Sequence, residues 1–512
     1  MDLLPTLEAS WRSQQQKICV IGAGPAGLAA LKLIKDSPQY KGGSWTATAF
    51  EARDGVGGVW LPAPPTQNPP LTPLYDSLTT NLPHPVMAYT SLSFPPSTAA
   101  YPPASSVLSY LQGYAEHFGL MELVQLNTSV TSVTRDHSTG KWVVTVRKSK
   151  QESEETSSFD FLVVANGHYR VPRTPSTPGL QQWFDVKRAM HSVYYRHPSD
   201  FGDARTVLVV GAGPSGSDLC SDLLTSGRSV VHSVTNAKSS DDPDGRLKTR
   251  GRVASYGDPE KGELTFEDGS TLSGVDFSVL ATGYKFDFPF LPESILHRLV
   301  PPAVPPLPGI LFNSTYSVFP LAKHIFPLVG ADEFPGTSVA FLGLPIRVAP
   351  LPLLEAQMAA VLHVFAYPTA LDATQEALDI VERYETIRAH LSRPAASEPD
   401  LTAPNASADP TELAIAAAWH RFDGHEQFTY RDALHVFAGS PVRVAPWEIE
   451  SYDAKGELRA EWRALERAGE ADEWVRGVGA GPGGDAEWVD LLRRLLKRVR
   501  DRQEEEKGKS RL

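Results

Sequence analysis

Two segments with one grammar, Gly22-Ala23-Gly24-Pro25-Ala26-Gly27 and Gly211-Ala212-Gly213-Pro214-Ser215-Gly216, leave this 512-residue chain few folds to adopt. Each follows a short apolar run, Lys17–Ile21 or Thr206–Val210, and opens a helical pattern, Pro25–Lys35 or Ser217–Ser226. In Gly-x-Gly-x-x-Gly the first glycine permits a tight turn, and the second lets backbone approach a pyrophosphate. The third lets the helix pack close on the strand, with its positive N-terminus toward the phosphates. One such loop is weak evidence, because a purely structural glycine turn reads the same way. Two in one chain are far more specific.

The surroundings repeat as well. A second strand follows each loop, at Thr46–Glu51 and Ser229–Val234. A later apolar strand then ends on a Gly pair, at Phe159–Ala165 before Asn166-Gly167 and at Val275–Ala281 before Thr282-Gly283. Alternating strand and helix predicts an α/β protein with doubly wound parallel sheets. The expected architecture is two Rossmann-like dinucleotide-binding domains, the smaller inserted in the larger. Residues 1–202 form the first part of the larger domain, and 203–284 form the inserted one. Residues 285–465 complete the larger domain and carry substrate loops, and 466–512 form a C-terminal helical extension.

The strand ends separate the two loops. Glu51 closes the strand after the first, where a carboxylate accepts hydrogen bonds from ribose hydroxyls. The gap from Gly22 to Glu51 is longer than usual, and Ser37–Ser44, with Pro38, Gly42 and Gly43, reads as a looped-out insert. The matching strand runs past Val234 into Asn236 and Lys238 without a carboxylate. A neutral or basic end suits the 2′-phosphate of NADP, although Lys238 reads equally as a solvated loop lysine. The expected cofactors are a resident FAD on the first loop and an exchangeable NADPH on the second.

A net charge of −12 argues against nucleic acid as a partner. The cysteines, Cys19 in a strand and Cys220 on a helix, form no Cys-x-x-Cys pair, which suits a reducing compartment. Met1–Lys17 lacks the apolar core of a signal peptide, and no window reaches the roughly 18 apolar residues of a membrane span. The cytoplasm is therefore the expected location, and the sequons at Asn127, Asn313 and Asn405 read as chance matches. Pro62–Pro103 reads as irregular loops, and Ser392–Pro410 as a flexible excursion. A last helix, Glu487–Glu506, aligns Trp488, Leu491, Leu492, Leu495 and Val499 on one face, a packed helix or, alternatively, a partner or membrane surface.

Several stretches then read together: Glu51-Ala52-Arg53-Asp54-Gly55-Val56-Gly57-Gly58-Val59-Trp60, and Leu74-Tyr75-Asp76-Ser77-Leu78-Thr79-Thr80-Asn81-Leu82-Pro83 with Met87. Others are Ala165-Asn166-Gly167-His168-Tyr169, Pro214-Ser215-Gly216-Ser217-Asp218 and Ala281-Thr282-Gly283-Tyr284, then Phe341-Leu342-Gly343-Leu344-Pro345 and Glu355-x-Gln357. In order, from residue 17 to about 360, they resemble the flavin-containing monooxygenases, class B flavoproteins, in a fungal-like form. The resemblance implies that Gly58, Val59 and Trp60 join the first loop around FAD. It places Thr79, Thr80 and Asn81 beside flavin and nicotinamide. NADPH falls to Gly211, Gly213, Ser215, Gly216, Ser217, Asp218 and Lys238. One departure stands out. The family's Phe-x-Gly-x-x-x-His segment reads Phe184-x-Val186 here, and His191 falls one residue late, as after a one-residue insertion.

The chemistry implied is reduction of FAD by NADPH, reaction with O2 to a C4a-hydroperoxyflavin, and oxygenation of a small soft nucleophile: a thiol, sulfide or amine. Asn81 is the candidate catalytic residue, because an amide donates to a peroxide without lending it a proton. Its alternative is a turn residue before Leu82-Pro83. The nearest rival activity is Baeyer–Villiger oxygenation of ketones, and a non-catalytic redox sensor is the rival from another class. The partners expected are the small nucleophile and O2, with no nucleic acid and no transmembrane segment. A homodimer is the assembly to consider.

Overall fold

The computed structural model describes residues 15–149, 151, 153–330, 333–391 and 408–509. The chain start through residue 14, most of the Ser392–Pro410 stretch with Asn405, and residues 510–512 lie outside the described residues.

In chain order, the strands of the two large sheets are β1 (Gln16–Ile21), β2 (Trp45–Phe50), β3 (Val124–Gln125), β4 (Phe161–Val164), β5 (Ala189–His191), β6 (Thr206–Val210), β7 (Ser229–Ser233), β8 (Ser240–Asp241), β9 (Leu247–Arg250), β10 (Phe277–Leu280) and β11 (Val339–Phe341). One sheet runs β11-β4-β1-β2-β3 and is parallel throughout. The other runs β8-β9-β7-β6-β10-β5, parallel except for the short β8–β9 pair. Because β11 returns to the first, five-stranded sheet after the six-stranded second sheet is complete, the second is threaded into the chain of the first. This is the doubly wound α/β arrangement expected from the repeated pattern.

The apolar runs have a direct cause. Residues on a strand alternate between faces, and β1 sends Ile18 and Val20 into one core and Cys19 and Ile21 into another. Both faces are covered, so no polar alternation is needed. On one side lies α1 (Pro25–Asp36), whose Leu28, Leu31 and Ile34 are fully buried. Each such side chain stabilises by about 1.5–3 kcal/mol. In the second sheet α2 (Pro214–Thr225) plays the same part, with Leu219 and Leu223 packed on Val207, Val209 and Val279. The helix α3 (Pro350–Ala366) covers α1 and completes the larger core.

Three details differ from the sequence reading. The insert Ser37–Ser44 holds a short helix, Pro38–Lys41, capped by the Ser37 hydroxyl, which accepts from Tyr40 N at 3.2 Å. The second sheet takes its edge strand β5 from upstream of residue 203. The C-terminal helices also begin earlier than residue 466. The helix Pro446–Asp453, then α4 (Lys455–Ala468) and α5 (Asp485–Lys509) share one core, in which Tyr452, Leu458, Trp462 and Leu465 meet Trp488, Leu491, Leu492 and Leu495. The apolar face of the last helix is thus packed inside the protein. Both cysteines are free and buried. Among the described residues no helix is long and apolar enough to cross a membrane.

Candidate active site between two dinucleotide loops

The two glycine loops match bond for bond. Gly22 N donates to Phe50 O (2.9 Å) and Ala165 N to Ile21 O (3.0 Å); Gly211 N donates to Ser233 O (3.0 Å) and Ala281 N to Val210 O (2.8 Å). A Cβ on Gly22 would stand 2.7 Å from Ala165 O, and one on Gly211 would stand 2.4 Å from Ala281 O. The third glycines are tighter still: a Cβ on Gly27 would lie 1.9 Å from Gly22 O, and on Gly216 2.0 Å from Gly211 O. Proline begins both helices, no side chain caps either, and neither has an acidic residue in its first turn. Both N-termini therefore keep their partial positive charge for an anion.

The loops differ in what lies over them. Gly57 N donates to Ala23 O at 3.1 Å, and Gly58 packs on Gly24, where an added Cβ would meet Gly58 Cα at 3.2 Å. Arg53 holds this cover in place. Its guanidinium donates to Gly58 O (3.2 Å), Leu61 O (2.6 Å) and Pro62 O (2.8 Å). Val59 O accepts from the Thr72 hydroxyl, and Trp60 is half-buried against the larger core. Among the described residues nothing comparable closes over the second loop: Ala212, Gly213 and Pro214 are exposed, and a Cβ on Gly213 would meet none of the described residues within 4 Å. In the first loop Ala23 and Gly27 are buried, and Pro25 and Ala26 half-buried.

The strand register places Glu51 and Val234 at equivalent points, one residue past Phe50 and Ser233, which pair with Ile21 and Val210. Glu51 is buried, and its carboxylate accepts from Ala23 N (2.8 Å) and Arg53 N (2.9 Å). Lone pairs remain on both oxygens for a ribose. Lys238 is exposed at the matching end of the second sheet.

Between the loops runs the segment Leu74–Pro83, pinned along its length. Tyr75 Oη donates to Asp218 Oδ2 at 2.7 Å, and Ser77 Oγ donates to Asp222 Oδ2 at 2.5 Å. Both acids stand on α2, one turn apart. Burial, then Asp218, raise the Tyr75 pKa, so the phenol stays a donor. Farther along, Thr80 N donates to Pro102 O at 3.0 Å, and the Thr79 hydroxyl accepts from Arg459 of α4. The Thr80 hydroxyl is buried with no partner among the described residues, and Asn81 is exposed. The predicted cofactor residues Thr79 and Asp218 are therefore tied to protein groups, while the side chains of Thr80, Asn81, Ser215 and Ser217 have no such tie among the described residues.

His191, the late histidine of the sequence, ends β5 at the edge of the second sheet. Its Nδ1 accepts from Val193 N (3.1 Å), so Nε2 carries the proton and donates to Gly283 O at 3.0 Å. Burial lowers its pKa to about 4, which keeps it neutral. Counted back from His191, the family's glycine falls on Lys187 rather than Val186. Lys187 has the left-handed backbone, φ 59°, whereas Val186 is at −90°. The inserted residue thus lies on the Phe184 side, and a lysine bears the conformation that glycine takes without strain.

An unpartnered buried hydroxyl on Thr80, the uncapped N-termini of α1 and α2, and glycines where a Cβ would fill the loop all fit two bound dinucleotides. Sequence reasoning missed Arg53, Arg459 and Arg463. Arg53 stands two residues past Glu51 and was within reach of it. Arg459 lies 380 residues from its partner Thr79, and no local pattern marks it.

Two glycine-loop sheets linked through the Leu74–Pro83 segment are the arrangement of an oxidoreductase built for dinucleotides. The model of the FMO-like family, described as flavin-binding monooxygenase-like, matches residues 15–239 and 244–304. The chain belongs to that family, and it is a flavin-binding monooxygenase. It is 29% identical to a thiol-specific monooxygenase of Saccharomyces cerevisiae over 71% of this chain and 80% of that protein. It is 30% identical to the flavin-containing monooxygenase FMO GS-OX5 of Arabidopsis thaliana over 75% of this chain and 82% of that protein. Among solved structures, S-allyl-L-cysteine S-oxygenase from Allium sativum superposes with a TM-score of 0.69 at 26% identity, covering 90% of this chain and 98% of that one.

Proposed function

We propose that this monooxygenase uses NADPH to oxygenate soft nucleophiles, thiols and sulfides foremost and amines with them, with FAD on the first loop and NADPH on the second. The named activities of the yeast and garlic relatives support sulfur as the oxygenated atom. When bound, the flavin supplies activation of O2 and transfer of one oxygen atom, with electrons drawn from the nicotinamide. The chain's part is to bind, orient and exclude water. Glu51 receives the ribose, and the N-termini of α1 and α2 receive the two pyrophosphates. Lys238 would meet the 2′-phosphate.

One observation carries the reading of the reacting centre: Leu74–Pro83 is bolted at Tyr75, Ser77 and Thr79, yet leaves the Thr80 hydroxyl without a partner among the described residues and Asn81 exposed. Groups held that firmly and still free to donate are preorganised for a ligand. In this reading Asn81 donates its amide hydrogen to the reacting oxygen. The cytoplasm is the proposed compartment, which two free, buried thiols suit.

The experiment is Asn81→Leu, which removes the donor at similar volume. Losing one preorganised donor at a reacting oxygen costs about 2.7–4 kcal/mol. FAD content should change little, while the ratio of oxygenated product to NADPH consumed should collapse and hydrogen peroxide should rise to match. Full coupling and turnover in the variant would leave Asn81 a turn residue.

A further inference from the structure

The helix α4 lies far outside the stretch matched by the family, 15–304, yet two of its arginines reach the site. Arg459 and Arg463 are one turn apart. Arg459 donates to the Thr79 hydroxyl, and its guanidinium lies over the Tyr101 ring, 4.6 Å from the centroid. Arg463 reaches Asp218 on α2 at 3.6 Å. Asp218 in turn accepts from Tyr75, four residues before Thr79. The contacts close a ring: Thr79 to Arg459, along α4 to Arg463, to Asp218, to Tyr75, and back along the chain to Thr79.

The ring is built on firm ground. Leu458, Trp462 and Leu465 of α4 are all but fully buried, and Glu461 of the same helix accepts from Arg498 Nε of α5 at 2.8 Å. On the other side, Tyr101 is buried and the backbone beside it, Pro102 O, accepts from Thr80 N. Arg459 Nη1 is buried with no partner among the described residues. Burial, then the like charge of Arg463, lower its pKa. A half-buried guanidinium gives up part of its hydration, a cost offset only by the contacts it makes. The exposed Arg463–Asp218 pair adds little stability by itself. The Arg459–Thr79 bond, partly shielded and charge-assisted, is the stronger link.

We propose that Arg459 is a positioning residue of the active site: by holding Thr79 it fixes the aim of Thr80 and Asn81, and α4 thereby belongs to the catalytic unit. The proposal rests on the reading of Asn81 given above. It makes oxygen transfer depend on a residue from the C-terminal helices that touches neither loop.

The test is a set of variants in the full-length, FAD-loaded protein: Arg459→Gln, Arg459→Lys, Thr79→Val, and the Arg459→Gln/Thr79→Val double. The readout is sulfoxide formed per NADPH consumed with a methyl sulfide, alongside FAD content and Tm. A hydrogen bond to a charged group is worth enough for about a tenfold effect. Arg459→Gln and Thr79→Val should each lower coupling by about tenfold, Arg459→Lys should restore part of it, and the double should be no worse than either single. Additive losses in the double, or wild-type coupling in Arg459→Gln, would overturn the proposal. Should Arg459→Gln lose FAD, Thr79→Val carries the test alone. Asn81→Leu run in parallel separates the two ideas: if it uncouples and the Arg459 and Thr79 variants do not, only the positioning role fails. If Asn81→Leu stays coupled, the reading of the turn fails and takes the proposal with it.

Discussion

The first and second glycine loops have the same hydrogen bonds and the same steric demands, and they differ in their covers. Over the first, the Gly57-Gly58 turn packs on Gly24, Arg53 locks that turn, and Glu51 ties the far strand to Ala23. Over the second, Gly213 faces open space and Val234 stands where Glu51 would be. The motif alone therefore says that a dinucleotide binds. Its cover says how long it stays: a closed cradle suits a resident flavin, and an open one suits a carrier that exchanges each turnover.

The largest effect that would break this contrast comes from matched substitutions. Gly24 and Gly213 have nearly the same backbone, φ −75° and −70°, so a side chain strains neither and only its surroundings count. Gly24→Val drives a side chain into Gly58 and should yield colourless, poorly folded protein. Gly213→Val should purify yellow at full FAD content, with the NADPH Michaelis constant raised by about tenfold or more. Absorbance of the flavin and steady-state kinetics check both. Two equally colourless variants would show that the covers do not distinguish the loops.

A smaller effect sharpens the second loop. Lys238→Glu sets a negative charge against a 2′-phosphate and should raise the Michaelis constant for NADPH several-fold more than that for NADH. Equal changes would return Lys238 to the role of a solvated lysine.

The smallest concerns the edge of the second sheet. Lys187→Gly relieves a left-handed lysine at φ 59° and should raise stability by about 1 kcal/mol, read as a rise in Tm. The same change at Val186, whose backbone is ordinary, should lower it.

The fold was legible because its signals are local. A glycine loop, the strand before it and the helix after it lie within 20 residues or so, and their apolar runs follow from burial on both faces. Glu51 was legible too, since strand order fixes which residue meets the loop. What the sequence hid are contacts between distant segments. Arg459 and Thr79 are separated by 380 residues, and α4 packs beside the site only because Trp462 and Leu465 find Leu491 and Leu495 on α5. Lys187 was hidden differently: an insertion shifts the count, and only the backbone angle shows which residue took the glycine's place.

In the proposed function the two loops jointly move one oxygen atom from O2 to a soft nucleophile at the expense of NADPH. The most direct measurement is turnover of the purified yellow protein with NADPH and a methyl sulfide under oxygen-18 gas. The expected product is sulfoxide carrying one labelled oxygen, formed in near equal amount to the NADPH consumed. Unlabelled product, or NADPH oxidation that yields only hydrogen peroxide across thiols, sulfides and amines, would contradict it.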